Sequence, residues 1–298
     1  MKIVDIIFSN AKMEITYFRN RKKMMNSPYA IDIMTIDETI AYMSVPGHSI
    51  VRYGDGEFML MNGKGLCKYQ DYNELLGRKL RDIIINHIND EKLLVCMPEP
   101  MAGIDKYTRR SRKYWTMQLT QNEEMYKSLV IPSMVYGNSF VSRPYIIYRD
   151  KSNCAKWFDA LKAVFEDRDI VIIEGEYSRS GVGNDLFGKA RSVKRILGPC
   201  HCAFTKYEQI LGAAMKIEKD RLILVAIGPA GKPITEELSK QGYWVLDIGH
   251  IDSEYEWFLS GSVRKKRIGN KHTADISDVS ISECGDIEYI DSIIAKIV

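Results

Sequence analysis

The chain has 298 residues, 45% of them apolar, enough to bury the core of one large α/β domain or two small ones. Its 42 basic and 39 acidic residues leave a formal charge of +3, too balanced for charge alone to indicate a nucleic-acid binder. No apolar run approaches the ~20 residues that cross a bilayer, and the opening MKIVDIIFSNAKMEITYF lacks the apolar stretch and cleavage site of a secretory signal, so a soluble, cytoplasmic protein is expected.

The first 26 residues read as helical or loosely ordered. They carry a basic knot, Arg19-Asn20-Arg21-Lys22-Lys23, which is either a solvated face or a contact for a membrane surface or a partner. Thr35-Ile36-Asp37-Glu38 fits a capping box that opens a short helix to about Ser44, and Pro46-Gly47 ends it. Ser49 to Tyr53 reads as a strand. Leu75, Leu76, Leu80, Ile83, Ile84 and His87 recur at helical spacing over 73–88. Lys92 to Met97 is a second strand, stopped by Pro98. The basic and aromatic stretch 107–126 is expected to be helical in its second half, and 152–165 is a helix. Asp169 to Ile173 is a third strand and Val193 to Leu197 a fourth. A helix over 203–215 leads to Arg221–Ile227, the clearest strand. A helix over 232–241, closed by Gly242, leads to the strand Tyr243–Ile248. The tail after Gly261 is polar and ends in an expected helix over 287–297.

Strands alternate with helices and are continuous apolar runs. That is the pattern of an α/β, Rossmann-like fold with a mostly parallel sheet flanked by helices on both faces. Ligands bind such sheets beyond the carboxyl ends of the strands, and five polar clusters fall there. The first is Arg52-Tyr53-Gly54-Asp55-Gly56-Glu57, where two glycines allow close approach to a ligand and Asp55 and Glu57 form a D-x-E pair. An ordinary Gly-Asp-Gly turn is the plain alternative. The second runs from Glu174 to Asp185 and holds Arg179, Gly181, Gly183, Asn184 and Asp185. Its backbone N–H groups can cradle phosphate, although it matches neither the P-loop nor G-x-G-x-x-G. The third is Lys194-Arg195, with Arg195 either solvated or aimed at a diphosphate. The fourth is Gly228-Pro229-Ala230-Gly231, between a strand and a helix.

The fifth cluster places His250, Asp252, Glu254 and Glu256 just after a strand. Extended, Asp252, Glu254 and Glu256 share one face; helical, Asp252 and Glu256 align and Glu254 points away. Such oxygen-rich groups suit Mg²⁺ or Mn²⁺ sharing its shell with substrate phosphates, and His250 keeps zinc open. Glycine loops, two arginines and two D-x-E pairs at one sheet edge are what metal-dependent chemistry on a nucleotide diphosphate ester requires. Cys67, Cys96, Cys154, Cys200, Cys202 and Cys284 contain no C-x-x-C pair. Cys200-His201-Cys202 has no second half with zinc-site spacing, so ordinary reduced thiols are expected.

Arg52–Glu57, Glu174-Gly175 with Ser178-Arg179, Gly181–Phe187, Lys194–Leu197, Leu222–Pro229 and Asp247–Trp257 together resemble a bacterial family once known only as a domain of unknown function and now described as glycosyltransferases of the GT-D fold. The resemblance covers roughly residues 49–260. It implies a UDP-sugar donor, UDP-glucose foremost, and a divalent metal held by a D-x-E motif. It further implies a glycan acceptor on a protein or lipid carrier in bacterial surface polysaccharide or glycoprotein assembly. Carried onto this chain, Asp55, Glu57 and Glu256 would be catalytic. Arg52, Gly54, Gly56, Arg179, Gly183, Asn184, Asp185, Arg195 and Gly228 would bind the donor diphosphate. Asp252, Glu254 and His250 would hold the metal. The two D-x-E pairs could exchange roles, and Gly228–Pro233 is richer in glycine and proline than the resemblance leads one to expect.

The expected organisation is a helical extension over 1–48, the catalytic domain over 49–262 and a tail over 263–298 with a short helix. Two other readings stand beside this one: a Rossmann-like dehydrogenase or methyltransferase, and a non-catalytic nucleotide-sugar-binding module. The dehydrogenase requires a glycine fingerprint after its first strand, where this chain has Gly-Asp-Gly-Glu.

Overall fold

A computed structural model describes residues 3–25, 27–63, 70–87, 90–132, 134–273 and 281–298, with side chains from Asn10 onward. The elements of the first half are α1 (Ile3–Met24), β1 (Asp32–Ile33), α2 (Ile36–Met43), β2 (Ser49–Arg52), α3 (Asp55–Met61), α4 (Glu74–Asn86), β3 (Leu93–Met97), α5 (Arg109–Gln121), α6 (Glu123–Leu129) and β4 (Val135–Asn138). Then follow α7 (Cys154–Phe165), β5 (Asp169–Gly175), β6 (Ser192–Gly198), α8 (Tyr207–Ala214), β7 (Leu222–Ala226), α9 (Gly231–Lys240), β8 (Trp244–Asp247), α10 (Ile251–Leu259), α11 (Ile287–Ser292) and β9 (Ile293–Lys296).

The nine strands form one sheet in the order β1-β4-β3-β2-β8-β7-β5-β6-β9, with every pairing parallel. Its centre is buried on both faces, as the unbroken apolar runs require: Ile50, Val51, Ile170–Ile173, Leu222–Val225, Val245 and Leu246 are all at most 1% exposed. Local signals hold where the side chains are local. Thr35 and Glu38 cap α2 reciprocally, and Asn73 accepts the Leu76 N–H at the start of α4.

Three strands escape the sequence pattern. β1 has two residues. β4 carries Gly137, where a Cβ would stand 2.4 Å from Cys96 Sγ, so the strand gives up its apolar run to pack closely on β3. β9 corrects the expected helix over 287–297: α11 stops at Ser292 and Ile293–Lys296 adds an edge strand beside β6. Its alternating burial is what a half-covered edge shows. Helix α5 also begins earlier than expected, capped by Thr108.

Connections leave β2 and β8 in opposite directions, and likewise β5 and β7, so crevices open above the carboxyl ends at both places. Among the described residues, no helix is long and apolar enough to cross a membrane.

Candidate active site

A closed ion network fills the base of the β2/β8 crevice. Arg52 ends β2 and Asp247 ends β8. Arg52 Nη2 donates to Asp247 Oδ1 at 2.8 Å and Nε to the Asp247 carbonyl at 2.6 Å, while Nη1 donates to Ser139 O at 3.2 Å and to the Ser142 hydroxyl. Lys232, in the first turn of α9, sits 3.2 Å from Asp247 Oδ2 and 3.1 Å from Glu57 Oε1. Glu57 Oε2 accepts the Gly54 N–H at 2.9 Å. All four residues are at least nine-tenths buried. Burial works against the Lys232 ammonium, but Asp247 and Glu57 outweigh it and hold its pKa above the ordinary value. Burial likewise opposes the Asp247 carboxylate, and Arg52 and Lys232 outweigh it and bring its pKa down. Gly249 makes room for this network: its φ is +43°, and a Cβ there would lie 1.9 Å from Arg52 Nη2.

The structure therefore corrects two expectations. The Arg52 guanidinium is engaged inside the fold rather than turned to a donor. Glu57 has both oxygens engaged, by Gly54 and Lys232, rather than open to a substrate. Asp55 itself is half-buried at the start of α3, with one carboxylate oxygen accepting the Tyr114 hydroxyl. Gly54 is the extended residue before α3, and Gly56 lies in the first turn of that helix.

The fifth cluster is helical, and this decides its geometry. Asp252 and Glu256 share one face of α10; Glu254 lies on the other. Asp252 Oδ1 accepts the Gly181 N–H and Asn184 Nδ2, each at 2.8 Å. Asn184 Nδ2 also reaches Glu256 Oε1 at 2.8 Å. The Lys271 ammonium lies between the two carboxylates, 2.8 Å from Asp252 Oδ2 and 3.0 Å from Glu256 Oε1. Glu254 is fully buried and accepts the Tyr145 and Ile146 N–H groups at 3.1 and 2.8 Å. Burial pushes its pKa up, opposed by Arg143. Asp252, Glu254 and His250, which caps α10, do not converge, because a two-residue step along a helix turns a side chain to the far face. The carboxylates that do converge on a cation are Asp252 and Glu256.

Next to this pair opens a cleft of about 420 Å³, lined by Arg179, Gly183, Glu256, Lys271 and the tail around Asn270 and Cys284–Asp286. Its glycine loop is wound tightly: Arg179, Gly181 and Gly183 have φ of +51°, +79° and +78°. A non-glycine residue held there marks strain that the surroundings must enforce. Arg179 does so by donating to Asn270 O and Ser282 O, each at 2.7 Å, which ties the tail to the loop. Beneath it, Arg195 pairs with the fully buried Glu174 and donates to Ser180 O and Ser292 Oγ. Arg195 is thus a brace for the loop, not a free cation aimed at a diphosphate. Asp185 is also displaced from its expected role: it accepts from Lys162 and the Tyr255 hydroxyl on the protein surface. Gly228 stands at the end of β7, where its carbonyl lies 3.4 Å from Lys232 Nζ. Asp55 is not among the residues that line the cleft.

Sequence reasoning missed Lys232, Asp247 as a network member, Tyr114 and Lys271. The nearest signal was positional: Lys232 follows Gly228–Gly231 into a helix, and Lys271 lies in a polar tail with no local pattern.

The family model described as "Glycosyltransferase GT-D fold" matches residues 50–276. The chain is 40% identical over 268 residues to "Probable glycosyl transferase Gly" of Streptococcus gordonii, covering 90% of this chain and 39% of that protein. It is 41% identical over 278 residues to "Glycosyltransferase GlyD" of Streptococcus pneumoniae serotype 4, covering 93% and 34%. It therefore spans well under half the length of these curated relatives. Among solved structures, one described as "The highly conserved domain of unknown function 1792 has a distinct glycosyltransferase fold" superposes with a TM-score of 0.87 at 40% identity, covering 94% of this chain and 99% of that one. Another, "A New Glycosyltransferase (DUF1792) from Streptococcus sanguinis", gives 0.84 at 39% identity, covering 90% and 100%. The chain belongs to the family of glycosyltransferases with the GT-D fold.

Proposed function

We propose that this chain transfers a hexose, glucose foremost, from a UDP-sugar to a hydroxyl of a glycan acceptor carried on a protein or lipid in bacterial surface assembly. The observation that supports this most directly is the cleft beside Asp252, Glu256 and Lys271. Its volume falls within the roughly 300–1,000 Å³ of small-molecule sites, and it opens at the carboxyl edge of a parallel sheet beside a glycine loop.

In this reading the UDP leaving group lies along the Arg179–Gly183 loop. As the sugar–oxygen bond breaks, negative charge grows on the diphosphate, and the Lys271 ammonium faces it at fixed distance from Asp252 and Glu256. A positioned charge of this kind stabilises the transition state more than the ground state. Asp252 and Glu256 are hard oxygen donors gathered on one cation, the Lys271 ammonium, and are the residues that would hold Mg²⁺ or Mn²⁺ in exchange for it. Such an ion supplies further neutralisation of the departing diphosphate. Asp55, half-buried and oriented by Tyr114, lies outside that cleft after β2, the strand beside β8, and is the carboxylate assigned to take the acceptor hydroxyl proton from that side. Glu57, Arg52 and Arg195 hold the scaffold. The reaction is assigned to the cytoplasm, with the exposed Ile15, Phe18, Arg19, Arg21 and Lys22 of α1 as a peripheral contact to membrane or partner.

The test is a hydrolysis and transfer screen over UDP-sugars with Mn²⁺, Mg²⁺ or EDTA, run beside UDP binding by calorimetry. Turnover of one UDP-sugar, with UDP affinity falling roughly 10–100-fold in Asp252→Asn, supports the proposal. UDP binding without turnover of any sugar nucleotide favours the non-catalytic binding module. No binding of UDP at all refutes both.

A further inference from the structure

The loops that precede α4 and α8 meet. Asp71, His201 and Cys202 bring a carboxylate oxygen, an imidazole nitrogen and a thiol sulfur within 4.8 Å of one another. In sequence, Cys200-His201-Cys202 is half a metal motif. The fold supplies the missing donor from Asp71, 131 residues before Cys202.

The loops are held together without an ion. Gln70, 3% exposed, accepts the Phe204 N–H at 3.1 Å. The Asp71 N–H points at Cys202 Sγ at 3.4 Å. Cys202 is left-handed, with φ of +54°, a strained backbone of the kind that concentrates at functional sites. His201 Nε2 stands 3.8 Å from Asp71 Oδ1, too far for a hydrogen bond, so neither group is consumed by the other.

The geometry points to a binding site for one transition-metal ion of the Zn²⁺ class, held by Asp71, His201 and Cys202 with water in the fourth position. Bonds of about 2.0–2.3 Å in a tetrahedral site separate its ligand atoms by about 3.3–3.8 Å. The side chains of Asp71 and His201 are 63% and 51% exposed, so closing the remaining gap needs only rotation of two surface side chains. A thiolate donor selects Zn²⁺ or Co²⁺ against Mg²⁺ and Mn²⁺, which separates this site from the all-carboxylate pair on α10. Binding releases the Cys202 thiol proton to solvent. The bound ion would staple the loop after β6 to the loop before α4, across two halves of the sheet.

The test strips the full chain with chelator and titrates it with Co²⁺, reading thiolate-to-cobalt charge transfer in the near ultraviolet. The expected result is one Co²⁺ per chain with that band, displaced by Zn²⁺ and untouched by Mg²⁺. Cys202→Ser should abolish the band and Cys200→Ser should keep it. His201→Gln, at an exposed position that leaves folding intact, should weaken Zn²⁺ binding by more than the roughly 10–100-fold that loss of an outer hydrogen-bond partner costs. No band in the unaltered chain, a band that survives Cys202→Ser, or Zn²⁺ affinity unchanged in His201→Gln overturns the assignment.

Discussion

Two ion clusters stand on the same edge of the sheet, and their charge balance differs. Under the β2/β8 crevice, Arg52 and Lys232 face Asp247 and Glu57, so two cations meet two carboxylates. On α10, Asp252 and Glu256 share one ammonium, Lys271. The first cluster is neutral and closed, which is how buried charge is tolerated. Among the described residues, the second sets two carboxylates against one paired ammonium and borders a cleft. Closed networks of this sort hold a frame; a surplus charge beside a cavity is available to a ligand. The contrast also sets the cluster around Arg52, so conspicuous in the sequence, apart as the closed one, while a lysine from the tail joins the cluster that borders the cleft.

The contrast can be broken most forcefully at Lys232. Lys232→Met leaves Asp247 and Glu57 buried with too little positive charge, and the expected loss is about 3–5 kcal/mol of stability in urea unfolding. A loss below about 1 kcal/mol would show that water reaches the network. Glu256→Gln probes the other cluster. Turnover of the donor should fall roughly 100-fold or more, while unfolding shifts by no more than about 1 kcal/mol, since its side chain is 22% exposed. Equal damage to folding and turnover would erase the distinction between frame and site. Gly249→Ala forces a Cβ onto Arg52 in a left-handed turn and should cost about 1–3 kcal/mol; a neutral result would mean that Arg52 has room to move.

The mildest effect concerns pH and sharpens the picture of α9, which carries both Lys232 and the partner of His87. Hydrogen bonding to Glu236, then to Asp90, raises the His87 pKa above 6.5 against the opposing effect of burial. Protonated His87 is therefore favoured in the folded state. Its contribution is fully present below 6.5 and is lost as pH rises through the higher folded value. Melting temperature should decline over that window, and His87→Gln should flatten the decline; an unchanged pH profile in the variant removes His87 from the account.

Much of the frame was legible because its signals are local. Six strands announce themselves as apolar runs, and Thr35 and Glu38 write their cap within four positions of sequence. β1 and β4 were not legible, since a two-residue strand and a strand carrying Gly137 against Cys96 acquire their identity from the neighbour they pair with. Ile293–Lys296 continues a helical pattern and becomes a strand only because β6 offers an open edge.

The same division runs through the site. Local sequence determined that carboxylates, arginines and glycines would arrive after parallel strands, hence at one edge of the sheet. Tertiary structure decided which of them are already engaged there. Whether Asp252 pairs with Glu254 or Glu256 depended on α10 being a helix, and whether Arg52 and Arg195 are free depended on Asp247 and Glu174 standing opposite. Periodicity is a property of neighbours in the chain; charge compensation is a property of neighbours in space, and Lys271 and Asp71 come from segments that no spacing rule connects to their partners.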